Sequence, residues 1–99
     1  MIEGYRILKN SRKMRGYRIM PQQLIDAFGK GVEATETFMG NESRRSDPVH
    51  VSIAYFRREK IMVISNPGYV AIAGNSLNAA KVASMLEKKL EITLKKAFL

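Results

Sequence analysis

The chain has 99 residues, enough for one compact domain and not two. Hydrophobic residues make up 45% and charged residues 26%, a globular balance, and the lack of cysteine excludes both a disulfide framework and a thiolate zinc site. Seventeen Lys and Arg against nine Asp and Glu give a formal charge of +8, which draws polyanions to the protein whatever its fold.

In chain order, Gly4-Tyr5-Arg6-Ile7-Leu8 recurs as Gly16-Tyr17-Arg18-Ile19-Met20. Both copies alternate apolar and basic residues at the period of a strand with one wet face, and Asn10 and Ser11 between them are turn formers. A β-hairpin over residues 4–9 and 14–20 is expected. Pro21 suits the first turn of a helix, Leu24, Ile25 and Phe28 follow at helical spacing, and Gly29-Lys30-Gly31 stops or kinks it. The next stretch, 32–38, reads two ways. Val32, Ala34 and Phe38 alternate as in a strand, whereas Phe28, Val32 and Met39 continue a helix. Gly40 to Pro48 is a polar loop.

Val49 to Phe56 alternates as a strand, Arg57-Arg58-Glu59-Lys60 makes a charged turn, and Ile61 to Ser65 is a second strand. Asn66-Pro67-Gly68 is a type II turn signal, leading to a third strand from Tyr69 to Ala73. Such short turns imply antiparallel pairing. Gly74-Asn75-Ser76 opens a long helix with Asn75 or Ser76 as N-cap, striped by Ala79, Ala83, Leu86, Leu90 and Leu94, with Lys95 and Lys96 at its negative pole. The expected fold is α+β: N-terminal β-hairpin, helix, three-stranded antiparallel meander, long C-terminal helix. Val82, Met85, Ile92 and Phe98 widen that helix's apolar arc beyond one packing partner. A chain this short also buries a small share of its surface, so a homo-oligomer, in the simplest case a homodimer, is expected.

Met1 to Asn10 carries no signal-like apolar run and no stretch approaches the ~20 residues of a membrane span, so a cytoplasmic location without a membrane partner is expected. Catalytic groups are sparse. His50 is the only histidine, and Asp26, Glu33, Glu36, Asp47 and Glu59 are scattered. Glu87-Lys88-Lys89 has the acid-to-lysine spacing of metal-dependent nucleases, but on a helix instead of a strand end. No glycine-rich segment matches a P-loop or dinucleotide fingerprint. The expectation is a protein without enzymatic activity, cofactor or metal, a nuclease being the minor alternative.

Binding has richer material. Arg6, Lys9, Arg12, Lys13, Arg15 and Arg18 cluster with Tyr5 and Tyr17 interleaved, which meets the needs of phosphates for cations and of unpaired bases for stacking planes. The competing reading of this cluster is a solvated edge hairpin whose charges block aggregation. Arg44-Arg45 and Arg57-Arg58 flank the first meander strand as borders of a groove or as solvated loops. Ser52, Ala54, Ala71 and Ala73 form a strip of small residues ringed by His50, Phe56 and Tyr69, open to close approach by a base or a packed helix.

Asp47-Pro48-Val49-His50 resembles the Gly-Pro-x-His loop of double-stranded-RNA-binding domains. Gly74-Asn75-Ser76-Leu77-Asn78-Ala79-Ala80-Lys81 is similar to their Gly-x-Ser-Lys-Lys-x-Ala-Lys helix start, and a helix–three strands–helix order over residues 21–90 resembles their fold. The resemblance implies that His50 contacts a minor groove and Lys81 grips a phosphate; Leu77 and Asn78 replace the family's other two lysines and Asp47 its loop glycine. The function expected from the whole chain is sequence-tolerant binding of RNA or DNA, on one strand or two. The basic hairpin, Arg44, Arg45, Arg57 and Arg58 would neutralise phosphates, and Tyr5, Tyr17 or Tyr69 would stack on bases. The alternative class is a structural or protein-interaction homo-oligomer.

Overall fold

Along Ile61–Asn66, buried Ile61, Val63 and Ser65 alternate with Met62, Ile64 and Asn66, the pattern of a strand with one face in the core. Tyr69–Ala73 repeats it, with Val70 and Ile72 buried. The computed structural model describes residues 1–9, 12–13, 16–39 and 49–97. Its elements are β1 (Ile2–Lys9), β2 (Arg12–Lys13), α1 (Pro21–Phe28) with a 3-10 turn at Gly29–Gly31, β3 (Val32–Met39), β4 (Val49–Phe56), β5 (Ile61–Asn66), β6 (Tyr69–Ala73), α2 (Ser76–Leu90) and β7 (Thr93–Ala97).

The strands form one antiparallel sheet in the order β7-β1-β6-β5-β4-β3, with two-residue β2 paired to the far end of β1 beside β6. Both helices lie on one face. There Tyr5, Ile7, Ala54, Phe56, Val63, Val70, Ile72 and Leu94 meet Leu24 of α1 and Ala79, Val82, Ala83 and Leu86 of α2. Each such side chain stabilises the fold by about 1.5–3 kcal/mol through burial if it is large and aliphatic or aromatic.

Local chemistry sets the helix ends. Pro21 opens α1, and Gln23 Oε1 accepts from the Met20 amide at 2.8 Å. Asn75 caps α2, its Oδ1 accepting from the Leu77 and Asn78 amides at 2.9 and 3.3 Å. Gly74, at φ 139, sits so close to the β4–β5 turn that a Cβ would lie 2.5 Å from Ile61 Cδ1. No helix among the described residues is long and apolar enough to cross a membrane.

The expected architecture of separate hairpin, meander and long C-terminal helix is corrected in three places. First, residues 16–20 do not return along β1 as a strand, and residues 14 and 15 of the expected second strand lie outside the described residues. β1 is interior to the sheet, with Ile2–Arg6 paired to β6 and Gly4–Leu8 paired to β7, so only its last residues, Leu8 and Lys9, are left for β2. The chain instead crosses the covered face, where Ile19 is fully buried and its amide donates to Ser65 Oγ at 3.0 Å. Second, the strands of the second half are no separate three-stranded unit. Residues 32–39 are strand, paired with β4 along their whole length, and β6 is joined to β1.

Third, the last helix stops at Leu90. Glu91 takes a left-handed conformation, φ 54, and Thr93–Ala97 becomes β7 on the free edge of β1. Ile92 and Leu94 alternate as well as they fit a helical stripe, and strand pairing satisfies a full row of β1 backbone groups that a longer helix would leave unmet. Lys95 and Lys96 therefore sit on a strand, not at a helix terminus. Val82 and Ile92, which widened the supposed helical arc, are buried in the core of the single chain, and Met85 packs against it. Four strands, β3 to β6, lie between α1 and α2.

Candidate functional site

The face of the sheet opposite the helices is open, and strand register fixes which residues share it. One row runs Lys95, Arg6, Tyr69, Asn66 across β7, β1, β6 and β5. The next runs Ala97, Gly4, Ala71, Ile64, Ile53, Thr35, and a third runs Ile2, Ala73, Met62, Tyr55, Glu33. The middle row has no charge and is nearly bare of side chain at Ala97, Gly4 and Ala71. It forms a flat floor.

Around that floor stand Tyr69, Tyr55, Met62 and Ile2, exposed by 40%, 38%, 43% and 63%. Tyr55 and Met62 are register partners, so two of these exposed side chains adjoin. Two shallow depressions lie on the face, about 490 Å³ between Tyr69, Asn66 and Val51 and about 340 Å³ between Tyr55, Ile53 and Thr35, and a third of about 270 Å³ lies at the β7 edge beside Arg6, Lys95 and Lys96. Arg6 makes no ion pair among the described residues, and neither does Lys95. Such a surface offers cations at one border and planar rings inward of them. It can hold an anion and stack a flat apolar group at the same time.

The residues singled out from the sequence scatter. Of the N-terminal set, Arg6 is on the open face and Lys9 is exposed at the end of β1. Arg12 and Lys13 form β2, while Arg15, Arg44 and Arg45 lie outside the described residues. Tyr5 is buried, its hydroxyl donating to Glu3 at 2.6 Å. Tyr17 packs against the core and its hydroxyl accepts from Gln23 at 3.0 Å. The Tyr5 ring is closed to a ligand, and that of Tyr17 is half-buried. Arg18, its side chain 12% exposed, donates to Ser52 Oγ at 2.8 Å and Glu36 at 3.0 Å. Arg57 is held by Glu33 at 2.6 Å and by the Lys30 carbonyl.

Arg58 and Lys81 are exposed, the latter on α2, away from the open face. Arg57, Arg58 and Lys30 border a cleft of about 510 Å³ floored by Phe28, Phe56 and Met85 on the covered side. His50 is on β4 with Nδ1 2.7 Å from Glu36, its ring centroid 4.3 Å from that of Phe38. Ser52 and Ala54, read with Ala71 and Ala73 as one strip, face the core instead: an odd offset between β4 and β6 puts the two pairs on opposite faces.

The contacts of Arg18 and Tyr5 belong to the fold. The His50 hydrogen bond, followed by the Arg18 charge, holds the Glu36 carboxyl below the usual range. Burial, helped by the bond to Glu3, pushes the Tyr5 hydroxyl up to about 12. The Tyr5 bond in turn lowers Glu3. Among the described residues no three His, Asp or Glu side chains converge.

Tyr55, Met62, Asn66 and Lys95 were not singled out from the sequence. Their signal was present in the alternation of β4 and β5, where Tyr55, Met62 and Ile64 fall on the face opposite the buried residues, but apolar residues on both faces hid which side was covered. The chain matches no protein-family model, no curated protein and no solved structure.

Proposed function

We propose that this protein binds nucleic acid through the open face of its sheet, with little dependence on sequence and without turnover. The observation that carries the reading is the Lys95–Arg6–Tyr69–Asn66 row: two cations, an exposed ring and an amide side by side on a face whose floor is flat and uncharged. Cations neutralise phosphate, the ring stacks on a base, and every base has a face to stack, so sequence matters little. The +8 charge adds long-range attraction. The reading moves the contact surface from the N-terminal segment, whose tyrosines are used in the core, to the sheet.

The exposed apolar residues Ile2, Tyr55 and Met62 favour one second reading, a copy of the chain seated on the same face. Fluorescence anisotropy with labelled oligonucleotides over a salt series, paired with sedimentation equilibrium, tests both. Binding that weakens linearly in log salt and is lost in Tyr69→Ala with Tyr55→Ala supports nucleic-acid recognition. A dimer that the same double variant dissociates, with no oligonucleotide bound at any salt, supports the second reading.

A further inference from the structure

We infer that the open face takes a single strand of nucleic acid, not a duplex, lying from β7 toward β3; this rests on the nucleic-acid reading above. A duplex carries two phosphate chains, one on each side of any groove, and a protein that seats it on a flat face needs cations on both flanks. Here the flanks differ. The β7–β1 border carries Lys95 and Arg6, whereas the open-face positions described on β3 are Glu33, Thr35 and Thr37. Glu33 is tied to Arg57, so among the described residues that border presents no open-face cation of its own. One cationic border suits one phosphate chain.

The relief of the face agrees. Duplex readers push a helix, a ribbon or an apolar wedge into a groove. Both helices of this protein are behind the sheet, and the floor row Ala97, Gly4, Ala71 is flat. Base faces are covered in a duplex and exposed in a single strand, and what this surface presents is stacking partners, Tyr69 and Tyr55. They stand two strands and four residues apart, roughly 16 Å from strand spacing and rise. The depressions beside Tyr69 and Tyr55 lie along that course.

The test titrates the whole chain with four labelled oligonucleotides of one sequence, single- and double-stranded, RNA and DNA, and repeats it with Tyr69→Ala, Tyr69→Phe and Arg12→Ala/Lys13→Ala/Arg15→Ala. The expected result is that single strands bind at least about tenfold tighter than duplexes. Tyr69→Ala lowers single-strand affinity about 5- to 150-fold, the range for one lost stacked base, and Tyr69→Phe restores most of it. Duplex binding as tight as single-strand binding, and sensitive to Tyr69→Ala, overturns the single-strand inference and leaves the open-face reading standing. Binding indifferent to Tyr69 but lost in the triple variant overturns the open-face reading, as does the absence of all binding. Circular dichroism of each variant ties the losses to the surface, since Tyr69 is an exposed residue whose removal leaves the core intact.

Discussion

Arg6 and Tyr69 are register partners on the open face, so their backbones lie one strand spacing, about 4.8 Å, apart and both side chains leave the sheet on the same side. Lys95 flanks Arg6 on the other side. Adjacent strands thus put two cations and an exposed ring side by side on one face. The pair exists because β1 is joined to β6, and β7 adds Lys95 by pairing along the other edge of β1.

Replacing Arg6 and Lys95 together by Ala is expected to reduce the slope of log affinity against log salt by about 1.4, the contribution of two phosphates on a single strand. A salt titration of both proteins measures it. An unchanged slope would show that phosphate lies elsewhere, and the Arg12→Ala/Lys13→Ala/Arg15→Ala variant would then carry the larger change.

The buried Tyr5 hydroxyl makes folding sensitive to alkali. Its folded-state value, about 12, is above the ordinary 10.0, so its contribution to stability is full below pH 10 and is lost as pH rises from 10 toward 12. Tyr5→Phe removes the titrating group. Denaturant midpoints of wild type should fall over this window more steeply than those of Tyr5→Phe, and parallel curves would refute the assignment.

Glu36 has the opposite sign. Its carboxyl is held below the ordinary value of 4.5 by His50 and then Arg18, so its contribution is present above pH 4.5 and disappears as pH falls through the lowered value. Glu36→Gln should therefore be less stable than wild type at neutral pH, with the difference shrinking on acidification. Thermal melts from pH 7 to pH 2 check it; a gap that widens in acid contradicts the hydrogen-bonded geometry.

Gly74→Ala is expected to destabilise the fold by about 1–3 kcal/mol. Its φ of 139 is unfavourable for any L side chain, and the new methyl would meet Ile61 Cδ1 at 2.5 Å. Urea unfolding measures the change. Wild-type stability in the variant would mean that the β6–α2 junction and the β4–β5 turn are not in contact.

Ile92→Asp separates a core role from an interface role. Ile92 is 6% exposed within the single-chain core, so an unpaired carboxylate there should unfold the protein or cost at least about 3 kcal/mol. A variant that keeps wild-type stability and merely loses self-association would place Ile92 between chains.

What the sequence by itself determined is local. Pro21 starts a helix because its ring pre-sets φ, Asn75 caps one because its side chain meets two orphan amides, and Gly68 at φ 83 turns β5 into β6. The alternation of Ile61, Val63 and Ser65 made that stretch a strand whatever it paired with. Charge was also legible, since +8 needs no fold. Tertiary structure decided the rest, because one segment often satisfied two patterns and only long-range partners chose between them. Ile92 and Leu94 fit a helical stripe and a strand alike, and the unpaired edge of β1 selected the strand. The repeat Tyr5-Arg6-Ile7 and Tyr17-Arg18-Ile19 suggested a hairpin, but β6 and β7 occupy both edges of β1, and the second copy is buried over Ser52 and Ser65 instead. The candidate site was illegible for the same reason. Whether Tyr55 and Tyr69 or Tyr5 and Tyr17 face solvent depends on which side of the sheet the helices cover, and that is settled by contacts between residues far apart in the chain.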